Sequence, residues 1–116
     1  MDKVGEVKIL GTVYGLYVDH AVDNSKLQTT NAYVEPWTKK LVFEPQTKDA
    51  RTVETVSEYV AKVVRHEIVH AMFNESGLPL YSQDEPLVEW IACQLPQLSR
   101  ACKEATDIVV THLAND

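Results

Sequence analysis

Between residues 3 and 19 the chain is rich in Val, Ile, Leu, Tyr and Thr. Val7 and Ile9, then Val13, Leu16 and Val18, predict strands, and Gly11 and Gly15 punctuate them as a turn or a bulge does. The polar stretch Asp19 to Thr30 reads as a loop, with Asp23-Asn24-Ser25 as its turn signal or with Ser25 to Thr29 as a short helical turn. A second β pair follows. Asn31 to Glu35 is one arm, Pro36 to Lys39 turns the chain, and Lys40 to Glu44 returns with Leu41 and Phe43 on one face. Pro45 ends the pairing because it has no N–H to donate.

The period then changes. Val53, Val56, Val60 and Val63, joined by Tyr59, Val64 and Phe73, recur at helical spacing. The pattern predicts a helix from an N-cap at Thr52, with Glu54 in its first turn, to a left-handed cap at Gly77. Continued by threes and fours, its apolar stripe reaches Glu67 and His70. Valine is a poor helix former, so packing must hold this helix. After a loop from Leu78 to Tyr81, Ser82 to Pro86 reads as a second helix start. Leu87, Val88, Ile91, Ala92 and Leu95 form its stripe. Pro96 is expected to end it and open a last helix, Gln97 to about His112, burying Leu98, Ala101, Ala105, Ile108, Val109 and Leu113. The expected fold is α+β: one domain over 1–116, with a small, mostly antiparallel sheet packed against the first helix and two further helices.

Composition narrows the class. The chain is 45% hydrophobic and 24% charged, ordinary for a globular protein, and its net charge of −6 argues against nucleic acid or an anionic membrane as partner. No apolar run approaches the roughly 20 residues that span a bilayer. Met1 to Glu6 lacks the basic-then-apolar order of a signal peptide, so a cytoplasmic location is expected. Cys93 and Cys102 have no framework spacing and read as free thiols, buried or partly buried.

The chemistry lies in His66-Glu67-Ile68-Val69-His70, an H-E-x-x-H sequence on the first long helix. Residues four apart on a helix share a face, so both imidazoles aim at one point, where they suit zinc. Glu67, tied to His66 by the chain, is placed to take a proton from a metal-bound water. A third ligand is needed. Glu85 and Glu89 share a face of the next helix. One can bind the metal while the other holds a His ring by its free N–H, and Glu85, 15 residues after His70 with room for a reversal, is favoured over Glu89 as the ligand. Tyr81 reads as a packing residue or an oxyanion donor, and His20 and His112 as possible donors or ordinary surface residues. Trp37 and Trp90 are expected to pack.

H-E-I-V-H-A-M-F-N-E-S-G-L followed by E-P-L-V-E-W-I-A-C-Q-L-P, spanning His66 to Pro96, resembles the gluzincin pattern of thermolysin-like zinc peptidases. The compact frame is similar to small ImmA/IrrE-like and phage-encoded metallopeptidases. The resemblance implies one zinc per chain on His66, His70 and Glu85, Glu67 as general base, and Glu89 orienting a His ligand. It also implies a protein or peptide substrate. This chain has Glu at 89 where Asp is common, and Pro86 directly after the ligand. The alternatives are a zinc-binding regulatory or interaction module with little turnover, and an interaction protein without metal.

Overall fold

A computed structural model describes residues 1–45 and 56–114. Four strands, β1 (Asp2–Ile9), β2 (Thr12–Val18), β3 (Ala32–Glu35) and β4 (Lys40–Phe43), form one sheet in the order β1-β2-β4-β3. The β1–β2 and β3–β4 pairs are antiparallel and β2–β4 is parallel. Three helices follow: α1 (Val56–Glu75), the short α2 (Pro79–Ser82) and α3 (Glu85–Ala114). This is the expected α+β class with a mostly antiparallel sheet. The Thr52 cap and Val53 lie outside the described residues.

Local chemistry explains the joints. Leu10 and Gly11 both have positive φ, +50° and +85°, as a two-residue hairpin demands, while Gly15 does not interrupt β2. In the loop after β2, Asn24 caps a 3-10 turn (Ser25–Gln28) by accepting from the Lys26 N–H, so the helical alternative is the observed one. Gly77, at φ +71°, closes α1 in a Schellman motif: its N–H donates to Asn74 and that of Leu78 to Phe73. Asp84 caps α3 by accepting from the Leu87 N–H, which leaves Pro86 in the first turn.

α1 is buried on two sides. Ala71 joins Ile9, Tyr14 and Leu41 beneath the sheet, and Val69 packs with Val88 and Ala92 of α3. Met72 touches both groups. A single amphipathic stripe therefore misdescribes this helix. Val60 and Tyr59, expected in the stripe, are exposed, and Tyr59 instead accepts at its hydroxyl from Asn31 Nδ2, 2.7 Å away. The far end of α1 is fastened by Glu75. Its carboxylate accepts from Thr12 Oγ1 at 2.9 Å, and also from the Tyr14 hydroxyl and the Lys39 ammonium.

The expected break at Pro96 does not occur: α3 runs straight through it. Proline has no N–H for the carbonyl four residues back, which is Ala92 in the core. Arg65 of α1 supplies the missing donor, its Nε lying 3.2 Å from the Ala92 oxygen. A borrowed hydrogen bond thus replaces the lost one, and two expected helices become one of 30 residues. Its second half does not bury Leu98, Ala101, Ala105, Ile108, Val109 and Leu113; all are exposed. Cys93, Cys102, Trp37 and Trp90 are exposed as well, against expectation.

Two predictions follow from these contacts. Arg65→Met should destabilise the fold by about 1–3 kcal/mol in urea unfolding, the cost of a buried carbonyl left without a donor. Adding Pro96→Ala, which restores an N–H at that position, should recover most of the loss; no recovery would refute the borrowed-bond account. The second concerns acid. Lys39 first, then Tyr14 and Thr12, lower the Glu75 carboxyl from 4.5 to about 2. A depressed pKa stabilises above the unfolded value, and that stabilisation disappears as pH falls toward the folded one. Stability should therefore decline between about pH 5 and 2, and Glu75→Gln should flatten that limb when melting is followed against pH.

Candidate metal centre

His66 and His70 lie one turn apart on α1, and Glu85 opens α3 directly across from them. The reversal through the Gly77 cap and α2 brings the two helices together. The Val69, Val88 and Ala92 contact fixes their separation. His66 Nε2 is 2.9 Å from one Glu85 oxygen and 3.1 Å from His70 Nε2, and His70 Nε2 is 3.1 Å from the other Glu85 oxygen. All three donors lie within 4.8 Å of one another. Tetrahedral ligands at zinc distances stand about 3.3 Å apart, so the cluster needs little adjustment to close on a cation.

The outer ring nitrogens decide what the inner ones offer. His66 Nδ1 is 2.7 Å from Glu89 Oε2, a carboxylate that must accept. His70 Nδ1 is 2.9 Å from Ser82 Oγ, whose own proton goes to the His70 carbonyl at 3.5 Å. Each Nδ1 therefore donates outward to an oxygen, which turns each Nε2 toward the Glu85 carboxylate. Burial lowers the His70 pKa, outweighing the opposing pull of Glu85, and keeps that ring neutral as a ligand must be. Glu89 is held below its ordinary value first by His66 and then by Cys93, whose thiol donates to its other oxygen at 3.4 Å.

Glu67 faces the core side of the motif. It is 7% exposed and lines the cleft with both histidines. Burial pushes its carboxyl up to about 7, with His66 opposing the rise and Glu85 adding to it. The cleft encloses about 470 Å³. Its far wall is β3 and the turns around it, with Thr30, Ala32, Tyr33, Val34 and Pro36. Among the described residues β3 has a strand neighbour on one side, β4, and residues of β3 line the cleft.

The structure thus brings His66, Glu67, His70, Glu85 and Glu89 together, with Glu85 among the donors and Glu89 behind His66. It does not bring in Tyr81, which tilts against Phe73 with ring centroids 5.8 Å apart and is absent from the cleft lining. Nor do His20 and His112 line the cleft. Sequence reading missed Ser82, taken only as part of a helix start. A hydroxyl three residues before a candidate ligand, at a helix reversal, was the available sign. It also missed the β3 wall, for which no local motif exists.

No family model, curated protein or solved structure matches this chain.

Proposed function

We propose that this chain is a zinc-dependent peptidase of the gluzincin kind, carrying one zinc on His66, His70 and Glu85. The observation that carries the reading is the convergence of two imidazoles and a carboxylate beside a buried second carboxylate in an open cleft. Among the described residues the donor group has three members. Three protein ligands are the number found in catalytic zinc sites, and four the number in structural ones. The chemistry zinc supplies when bound is polarisation of a carbonyl and acidification of water.

The chain's own residues do the rest. Glu67 takes a proton from the attacking water and returns it to the amine nitrogen as the C–N bond breaks. Its carboxyl is buried in the wall of the cleft, beside both histidines, where a proton can be taken up and passed on. Glu89 and Ser82 hold the two imidazoles in orientation and tautomer. The open edge of β3 offers backbone N–H and C=O groups to an extended peptide, with side chains reaching into the cleft.

Metal analysis after purification should find about one zinc per chain. His66→Ala, His70→Ala and Glu85→Ala should each lose it, whereas Glu89→Ala should weaken affinity about 10–100-fold. Retention of metal by Glu85→Ala with loss by Glu89→Ala would mean that the two acids exchange roles. Glu67→Gln separates metal from chemistry. It should keep zinc and fold while peptide cleavage falls by about 10²–10⁴-fold or more. The assay is a screen of unfolded and folded protein substrates with chelator as control. Chelator-sensitive cleavage that is undiminished in Glu67→Gln would refute the mechanism. Stoichiometric zinc with no cleavage of any substrate would instead favour a regulatory or interaction module.

A further inference from the structure

α3 is about 45 Å long, and only its first turns are used by the core. Val88 and Ala92 are its buried residues, and every residue from Leu95 to Ala114 is exposed. The arm extends the molecule to 62 Å, and the radius of gyration is 17.2 Å where a compact chain of this length has about 13 Å. Yet the arm is amphipathic. Leu98, Cys102, Ala105, Val109 and Leu113 fall on one face, by spacings of four, three, four and four. Arg100, Lys103, Glu104 and Asp107 all fall on the opposite face, and their charges cancel. Solvent is expected on the charged side and a partner on the other.

The same stripe runs back into a groove. At the root of the arm, Ile91 and Leu95 join Ile9, Leu10, Ile68 and Met72 around about 270 Å³ that is apolar apart from Lys8. One chain therefore carries both a projecting apolar helix and an apolar groove, on one line along α3. From Leu95 to Leu113 the distance is about 27 Å.

We infer that a second copy of this chain covers the arm, the two α3 arms pairing antiparallel about a two-fold axis. An axis near residues 103 and 104 sets Leu98 against Val109 of the second copy and Cys102 against its Ala105. Leu113 of each copy then reaches the groove beside Leu95 of the other. Three features favour a second copy. Identical faces meet in such a pair, and a face without charge imposes no like-charge repulsion. Small residues at the middle and larger ones at both ends match themselves when the direction is reversed. The groove is present in the molecule that supplies the helix end. A membrane is the weaker occupant, because the polar face carries as many anions as cations and lacks the basic excess of interfacial helices. The inference is independent of the metal reading.

The test uses the full chain. Sedimentation equilibrium should give twice the 13.1 kDa of one chain. Leu98→Glu with Val109→Glu should return the mass to one chain. Both side chains are more than half exposed in the single copy, so helical circular dichroism and zinc content should not change. In a Cys93→Ser background, Ala105→Cys should form an oxidised covalent dimer with Cys102 of the other copy, faster than Cys102 alone does. Equal rates would overturn the antiparallel register. A single-chain mass for the unmodified protein at every concentration up to its solubility limit overturns the proposal, and so does a dimer that survives both glutamates. Single chains that co-sediment with phosphatidylcholine–phosphatidylglycerol vesicles would assign the face to a membrane and overturn it equally.

Discussion

The contact of Val69 with Val88 and Ala92 governs the geometry of the candidate metal centre. Two donors lie on α1 and the third on α3, so the separation of these helices is the separation of the donors. The contact is close, because Ala92 offers only a methyl group and Val69 and Val88 are fully buried. Full burial of a valine stabilises by about 1.5–3 kcal/mol, and this contact holds the two helices, and with them the three donors, at their separation. The Arg65 bond to the Ala92 carbonyl acts at the same contact, one residue before the motif. Packing and backbone satisfaction thus stand directly behind the chemistry.

α1 carries two opposed demands. Its motif needs polar side chains in a cleft, and its position needs apolar ones on both flanks. The helix resolves this by rotation. Ile68 and Met72 face the sheet, Val69 faces α3, and His66, Glu67 and His70 line the cleft between them. Glu67 lies closest to the core and experiences it as a raised proton affinity. Glu75, at the far end of the same helix, experiences the opposite field, because Lys39 and two hydroxyls surround it. Two glutamates eight residues apart are thereby tuned in opposite directions by their neighbours alone.

α3 divides similarly between two environments. Its first turns complete the core and present Glu85 and Glu89, and its remainder leaves the body of the molecule. Helical continuity through Pro96 joins the two parts mechanically. Covering the arm would therefore also steady the helix that bears the third donor.

Much of this was legible from residue order. H-E-x-x-H, the paired glutamates, the Gly77 cap, the Pro36–Lys39 turn and the two β pairs all depend on chemistry within a few residues, which sequence records directly. The residue pattern favoured Glu85 over Glu89 as the third donor, and the family resemblance implied the same assignment. Tertiary structure decided what depends on neighbours distant in the chain. Pro96 looked like a helix end because its missing hydrogen bond is local, while the compensating donor, Arg65, comes from another helix. Val60 and Tyr59 looked buried because apolar spacing marks a face without saying what covers it. Leu98, Val109 and Leu113 were misjudged for the same reason. Ser82 became a partner of His70 only through the helix reversal. The cleft wall at β3 exists only because the parallel β2–β4 pairing sends β3 to the sheet edge. Periodicity specifies which residues avoid water; only the packed chain specifies against what.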